Sequence, residues 1–180
     1  MKPITGVMLG LSLLFTATVA ADFEPDTGDK LQLDAAKAIL EIKSVDPDIQ
    51  RFFDESAGYA VFPTVGKGGI GIGGARGKGL VIVNDKVDGH ATLTQLTVGL
   101  QLGGQSYSEF VFFKDDAALQ QFRRGNFEMG AQASAVAVTA GASADANYDK
   151  GVAVFTNVKG GLMYEATIAG QKFKYEPANP

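Results

Sequence analysis

The sequence predicts an α+β domain, with two N-terminal helices and one further short helix on a glycine-rich, mainly antiparallel β sheet or barrel. Apolar residues recur with a helical period over 31–43 and alternate with polar residues from Gly58 onward. Glycine occurs 23 times in 180 residues, which is typical of a chain that turns often or brings backbones close together. With 46% apolar and 20% charged residues, the composition is that of a globular domain with a core.

Residues 1–21 have the pattern of a secretory signal peptide. A lysine at position 2 is followed by the apolar run GVMLGLSLLFTATV and by small residues that suit cleavage after Ala20 or Ala21. An uncleaved membrane anchor is the alternative, but the run is shorter than the ~20 apolar residues that span a bilayer. We therefore expect a periplasmic or secreted protein, with a flexible lead-in at 22–30 and a single domain at 31–180.

Two helices are predicted at the start of the domain. The segment LQLDAAKAILEIKS is amphipathic, because its apolar residues share one helical face. Asp46-Pro47-Asp48 then supplies a cap, a proline at a helix start and an acid in the first turn, so a second helix is expected over 48–55. The apolar residues of the two helices, expected to face the core or a membrane, are Leu31, Ala35, Ala38, Ile39, Ile42, Ile49, Phe52 and Phe53.

Half-buried strands are predicted for most of the remaining chain. In TQLTVGLQL, three leucines and a valine alternate with polar residues and glycine, which is the period of a strand. A third helix is expected in DDAALQQFRRG, which begins with acids and ends on arginines and a glycine. The uncharged segment 129–144 fits a strand better than a helix, although its alanines favour a helix. The other strands are predicted around 58–62, 68–75, 79–84, 106–113, 127–139, 151–157, 161–168 and 171–175.

One phrase occurs twice, as GYAVFPTVGKGG at 58–69 and as GVAVFTNVKGG at 151–161. Each copy is predicted to form a strand with its Val and Phe on opposite faces, and to place Lys67 or Lys159 at a comparable turn. One interpretation is a strand and turn used at two similar corners of a sheet or barrel. The other is an anion site built from two lysine-bearing glycine turns, and the two interpretations are compatible.

The charge balance argues against a general attraction to nucleic acid or anionic lipid. The chain has 16 bases and 20 acids, a net charge of −4, and loss of the signal peptide would leave 15 bases against 20 acids, or −5. The stretch between Glu55 and Asp85 is a local exception, because it contains no acid. It carries Lys67, Arg76 and Lys78, which could join backbone N–H groups around an anion. The alternative is a solvated hairpin whose charges prevent edge aggregation.

Catalytic, metal and cofactor motifs are not recognised. His90 is the single histidine and lies beside a predicted turn, and Asp115 and Asp116 are explained by capping a helix. The chain has no cysteine and no GxSxG or HExxH motif. A GxGxxG pattern begins at Gly69, but a predicted strand follows where dinucleotide binding requires a helix. We therefore expect a protein that is not an enzyme and that carries no metal or cofactor.

Several longer motifs occur in a fixed order: GYAVFPTVGKGG, GGARGKG, VGLQLGGQ, FRRGNFEMGAQASA, GVAVFTNVKGG and GQKFKY. With them the sequence closely resembles the SYLF family, also called the Ysc84 or DUF500 family, over residues 30–176. The resemblance implies a lipid-binding module. Eukaryotic members bind phosphoinositide-containing membranes, in some cases through an N-terminal amphipathic helix that would correspond to 31–43 or 48–55, and a fungal member also bundles actin.

These observations predict non-catalytic binding of anionic phospholipid at a cell-envelope membrane, through a local basic, glycine-rich face and an amphipathic N-terminal helix. The alternative is a structural envelope protein that binds a protein partner or itself, and an enzyme of unrecognised type ranks third. Binding of nucleic acid is not expected. The candidate lipid-binding residues are Lys67, Arg76, Lys78, Lys159, Arg123 and Arg124.

Overall fold

The protein is represented by a computed structural model that describes residues 23–70, 72–98, 105–130, 133–159 and 168–178. These residues form three α-helices and one sheet of eight strands, which curls into a half-barrel, so the predicted α+β class is confirmed. The helices are α1 (Lys30–Val45), α2 (Gln50–Glu55) and α3 (Asp116–Arg123). The strands are β1 (Gly58–Ile70), β2 (Ile72–Val83), β3 (Lys86–Val98), β4 (Gln105–Phe113), β5 (Phe127–Glu128), β6 (Val136–Ala137), β7 (Val152–Val158) and β8 (Lys172–Pro177).

The strands follow the order β5-β8-β3-β2-β1-β4-β7-β6, and every recorded pairing is antiparallel except that of β6 with β7. The curl of the sheet is visible in contacts that cross several strands. The side-chain nitrogen of Gln171, just before β8, donates to Glu109 of β4 at 2.9 Å, although three strands separate β8 from β4. On the same side, the rings of Phe62 and Phe173 have centroids 5.6 Å apart. We call this side the concave face and the other side the helix face.

Both faces carry a buried core. On the concave face, α3 contributes Leu119 and Phe122, and the Phe122 ring lies 4.9 Å from that of Phe113. On the helix face, the Phe52 ring of α2 lies 4.8 Å from that of Phe155. A strand buried on both sides has apolar residues at successive positions, and β4 has the continuous run Phe110 to Phe113 for this reason.

Helix α1 begins where the sequence predicts it. The Asp29 carboxylate accepts hydrogen bonds from the backbone of Leu31 at 2.8 Å and of Gln32 at 3.3 Å, which caps the helix. The apolar residues predicted to face either the core or a membrane lie in the core, except for Leu31 and Phe53, which are half-buried. The buried ones are Ala35, Ala38, Ile39, Ile42, Ile49 and Phe52. Of the two expected orientations, the structure therefore has the one toward the core, because the sheet covers this apolar face.

The buried carboxylate of Asp46 links the end of α1 to a distant loop. It accepts from the backbone N–H of Asp48, where the turn Pro47–Ile49 begins, and from Ser143 N–H at 2.7 Å. Burial opposes ionisation, but the hydrogen bonds from the Ser143, Gly141 and Asp48 backbones outweigh it and lower the pKa of Asp46. Asp46 therefore holds the loop around 141–143 against the helices.

The repeated phrase forms β1 and β7, which flank β4 on its two sides. Near their starts the two copies are one residue out of register, since Phe62 lies opposite Glu109 and Phe155 lies opposite Phe110. Phe62 therefore packs in the concave core and Phe155 in the core under the helices. A register shift in β1 at Pro63 then brings the copies back into line.

Several predicted boundaries differ from the structure. Lys67 lies inside β1 and not at a turn, because β1 continues to Ile70 and β2 starts at Ile72. The strand predicted over 127–139 is reduced to the two short strands β5 and β6. Phe23 is buried against the core under the helices, so this part of the predicted flexible lead-in is packed. The predicted signal peptide lies outside the described residues, as does most of the strand predicted over 161–168.

Candidate functional site

Four exposed cations form two neighbouring rows on the helix face of the sheet. In the first row, Thr94 lies between Arg76 and Lys172, directly opposite each of them. The second row, two residues further along each strand, contains Lys78, Thr92 and Lys174. We call Arg76, Lys78, Lys172 and Lys174 the basic stripe.

The strand alternation fixes the side to which the stripe belongs. Ala75, Leu93 and Phe173 are buried in the concave core, and each precedes or follows a member of the first row. Because successive side chains of a strand point to opposite faces, the first row lies on the helix face. Neighbouring strands lie about 4.8 Å apart, so the backbones of Arg76 and Lys172 are separated by roughly 10 Å.

The stripe keeps a positive excess because three carboxylates of the described chain lie near its four cations, and one of them, Asp34 beside Arg76 and Lys78, is already paired with Lys30. Lys172 is 3.6 Å from Glu128, and Lys174 is 2.7 Å from Glu176, where this hydrogen bond lowers the pKa of Glu176. Both pairs are largely solvent-exposed, and such pairs contribute little to stability. Within the described ranges, no ion pair is recorded for Arg76 or Lys78.

A shallow cleft lies beside the first row. Its volume is about 420 Å³, and Arg76, Thr94, Leu96 and Lys172 contribute to its lining. Part of its wall is glycine: a Cβ added at Gly66, opposite Arg76, would meet no atom within 4 Å. Leu96 is 85% exposed, more than any other large apolar residue of the described chain. The cleft therefore combines two cations, a hydroxyl, open backbone and an exposed apolar side chain.

The candidates named from the sequence do not all meet at this surface. Arg76 and Lys78 do, whereas Lys67 lies opposite Ala75 and is therefore on the concave side, half-buried. Lys159 follows β7, and its backbone N–H donates to the carbonyl oxygen of Ser106 near the start of β4. It is therefore separated from the stripe by β1 and β4. Arg124 is exposed at the C-terminal cap of α3.

Arg123 is engaged in a structural network. Its guanidinium binds the Asp88 carboxylate through two nitrogens, with Nε donating at 2.8 Å. The hydroxyl of Tyr175 donates to the same carboxylate at 2.8 Å. The hydrogen bond with Asp88 raises the pKa of Arg123 above its usual value. The pKa of Tyr175 is raised to about 12, mainly by burial and secondly by the interaction with Asp88. The network fastens α3 to β8 and to the β3 strand, and it neutralises Arg123.

Comparison with known proteins identifies the domain. Residues 94–177 match the Ysc84 family model, described as a Las17-binding protein actin regulator. Over these residues, just under half of the chain, the match is to the Ysc84 (SYLF) family. The resemblance inferred from the motifs is thereby confirmed. The matched range runs from the middle of β3 to the end of β8 and so contains Thr94, Lys172 and Lys174.

The Ysc84 domain also has a curated relative in a bacterium. The protein named beta cell expansion factor A, from Aeromonas veronii, is 29% identical over 141 residues, which is 77% of this chain and 53% of the relative. The chain thus spans about half the length of the curated relative. The family description names a binding protein and a regulator, which is the description of a binding or regulatory family and not of an enzyme family.

A second polar cluster of the Ysc84 domain is buried in the concave face. Glu109 is fully buried and accepts from Gln171, while its second oxygen has no hydrogen-bond partner among the described residues. Burial raises the pKa of Glu109 to about 8, although the Gln171 hydrogen bond opposes the shift. Burial and the nearby Glu109 also raise the pKa of Tyr107. Glu109 is therefore mostly neutral at pH 7.

Sequence reasoning missed Lys172 and Lys174. The signal was present in GQKFKY, where two lysines alternate with the buried Phe173 and so must share one strand face. What was missing was the neighbour of this strand. Only the pairing of β8 with β3, and of β3 with β2, places the two lysines beside Arg76 and Lys78.

Proposed function

We propose that this Ysc84-family chain binds anionic phospholipid surfaces through the basic stripe. The observation that carries the proposal is the convergence of four exposed cations from three strands on one sheet face, in a chain whose net charge is −4. A random scatter of cations over an acidic protein would leave no such positive patch. The family match supports a binding role.

The size of the effect is consistent with reversible attachment. Each lysine or arginine near an anionic membrane contributes about 1 kcal/mol, and the contribution falls with salt. Glu128 and Glu176 offset part of this attraction, so the stripe supports a weak, salt-sensitive hold. No helix in the described ranges has the length and apolarity to cross a bilayer. The attachment we propose is peripheral and electrostatic.

The setting we propose is a cell-envelope membrane reached by export. The expected signal peptide at 1–21 supports this setting. Phosphatidylglycerol-type lipids would present the phosphate groups there. The proposal needs no insertion of α1, whose apolar face is covered by the sheet.

Vesicle sedimentation tests the proposal. The variant Arg76→Gln/Lys78→Gln should lose binding to vesicles of phosphatidylcholine mixed with phosphatidylglycerol, by roughly 30-fold if each base contributes about 1 kcal/mol. The matched control is Lys86→Gln/Lys114→Gln, which removes the same charge at the other end of the sheet, where Gly58 pairs with Phe113 and Val83 with Lys86. Equal losses in both variants would contradict a role for the stripe.

The alternative function is association with a protein partner or a second copy of the chain. The family description favours it, because that description names a protein ligand and a regulator of actin. Leu40, on the outward side of α1, is 66% exposed and would suit such a contact. Binding to vesicles that does not depend on phosphatidylglycerol content, together with a loss of self-association in Leu40→Gln, would favour this alternative over the stripe.

A further inference from the structure

We infer that the cleft beside the first row is a discrete site for one glycerophospholipid molecule, in which Arg76 and Lys172 hold the phosphate and Leu96 contacts the start of an acyl chain. The inference rests on the proposed function and makes it more specific. A diffuse basic surface holds many headgroups loosely, whereas a site of this kind is saturable and binds one.

The phosphate part of the site follows from the first row. Arg76 and Lys172 flank Thr94 from the two neighbouring strands, with backbones separated by roughly 10 Å. Both side chains are long enough to meet above the shorter threonine. A guanidinium supplies a planar fork for two phosphate oxygens, and an ammonium supplies a mobile point charge.

The glycines beside the row leave room for the headgroup. On β1, Gly66 lies opposite Arg76, and Gly68 lies two residues further along the same strand. A Cβ added at either glycine would meet no atom within 4 Å. The cleft volume of about 420 Å³ is in the range of small-molecule sites. A headgroup can therefore approach the backbone of β1 while its phosphate stays beside Arg76.

Leu96 distinguishes a lipid from other phosphate compounds. It lies two residues beyond Thr94 on β3, hence about 7 Å further along the same face. It is 85% exposed, and it is opposite Gly74, which gives it no covering side chain. An anion site with an adjoining apolar contact suits an amphiphile, whereas free phosphate would use only the cations.

Glu128 competes for the site. Its carboxylate lies 3.6 Å from the Lys172 ammonium, and Glu128 and Lys172 are opposed residues of β5 and β8. An incoming phosphate must take Lys172 from Glu128. Removing this carboxylate should therefore strengthen binding of the phosphate. If Lys172 only stabilised the fold, the same change would not strengthen binding.

Titration with a short-chain phosphatidylglycerol below its micelle concentration, followed by two-dimensional NMR, tests the inference. The full chain should bind with one-to-one saturation, and shifts should centre on Arg76, Thr94 and Leu96. Arg76→Gln should weaken binding about tenfold, as expected for loss of a charge-assisted phosphate contact. Glu128→Gln should tighten it several-fold.

Two further ligands separate the sources of phosphate. Glycerol 3-phosphate and inorganic phosphate should bind more weakly than the short-chain lipid, and Leu96→Ser should weaken the lipid but leave glycerol 3-phosphate unchanged. Lys86→Gln serves as the charge control and should change nothing. Circular dichroism verifies that each exposed variant remains folded.

Failure of the discrete lipid site and failure of membrane binding by the stripe give different results. If vesicles still sediment the protein but the short-chain lipid shows no saturation, the discrete site is wrong and the diffuse stripe stands. If inorganic phosphate binds as tightly as the lipid, or Leu96→Ser has no effect on lipid, the site is an anion site without a lipid role. If neither vesicles nor soluble lipid bind, the proposed function itself fails.

Discussion

The two copies of the repeated phrase, β1 and β7, occupy equivalent places on either side of β4 but present opposite faces. Phe62 of the first copy lies in the concave core, near Phe173, whereas Phe155 of the second lies under α2, near Phe52. Almost the same residues thus serve two different cores. The face that a strand residue occupies depends on its register with its neighbour and not on the local sequence.

The bulge in β1 explains how the copies differ and then agree again. Both pairings of β1 shift register around Pro63, which has no N–H to give to a sheet neighbour. Beyond the bulge, Val65 and Val158 both lie opposite Tyr107. The second copy has threonine at the position corresponding to proline, and β7 continues without a register shift. One proline therefore separates two otherwise equivalent strands.

The largest expected effect is the loss of stability when Phe62 or Phe155 is replaced. Phe62→Ala and Phe155→Ala should each lower the free energy of unfolding by about 3–5 kcal/mol, because both side chains are fully buried. Urea unfolding followed by circular dichroism measures this. The milder pair Phe62→Leu and Phe155→Leu should be additive in the double variant within about 0.5 kcal/mol, since the two rings belong to separate cores. A strong coupling between them would place both rings in one core and contradict the comparison.

The next effect concerns the acid of the concave face. The pKa of Glu109 is raised to about 8, so between the unfolded value near 4.5 and pH 8 the native state holds a proton that the unfolded state has lost. Stability should therefore fall as pH rises through this window, by on the order of 2–4 kcal/mol between pH 5 and pH 9. The free energy of unfolding of Glu109→Gln should depend less on pH, and this variant should be more stable than the native chain at pH 9. Unfolding curves at several pH values measure the difference, and a native chain that becomes more stable toward pH 9 would exclude this assignment.

Two glycines of the β1–β2 pair test the difference between the packed concave face and the open helix face. A Cβ at Gly79 would overlap the Val61 carbonyl oxygen and lie 2.6 Å from the Phe62 ring, whereas a Cβ at Gly66 would meet nothing within 4 Å. Gly79→Ala should therefore cost about 1–3 kcal/mol. Gly66→Ala should stay within about 0.5 kcal/mol of the native chain. Thermal denaturation of both variants tests the prediction, and equal effects would mean that the two faces are equally open.

The smallest effect separates a structural arginine from one proposed to bind. Arg123→Gln should lower stability by about 1–2 kcal/mol, because it leaves the half-buried Asp88 carboxylate without its guanidinium. Arg76→Gln should change stability by less than about 0.5 kcal/mol, since no ion pair is recorded for Arg76 in the described part of the chain. Denaturant midpoints for the two variants provide the measurement. If Arg76→Gln proves the more destabilising, Arg76 has a structural role that the geometry does not explain.

Local signals predict most of the elements. Asp46 and Asp115 were predicted as caps, and they do cap the turn Pro47–Ile49 and α3, because capping involves residues only two or three positions apart. The strands of β4, β7 and β8 are found where alternation predicts them. The strand predicted over 127–139 is wrong along most of its length, since small residues carry little periodic signal.

The candidate site was less predictable than the fold. Arg76 and Lys78 lie two residues apart in a strand, so their shared face follows from sequence alone. Lys67 was grouped with them, but the pairing of β1 with β2 places it opposite Ala75 and so on the other face. Arg123 appeared as a free cation because its partner, Asp88, lies 35 residues away.

The amino-acid order by itself determined the helices, most of the strands and the family, because each depends on neighbouring residues or on motifs that can be read in line. Tertiary structure alone decided which core each repeated phenylalanine fills, and that Lys172 and Lys174 stand beside Arg76 and Lys78. Sheet pairing joins distant segments, as when Thr94 lies opposite Lys172, and a one-residue change in register moves a side chain to the other face. The physical reason is therefore the non-local hydrogen bonding of the sheet, which no local pattern specifies.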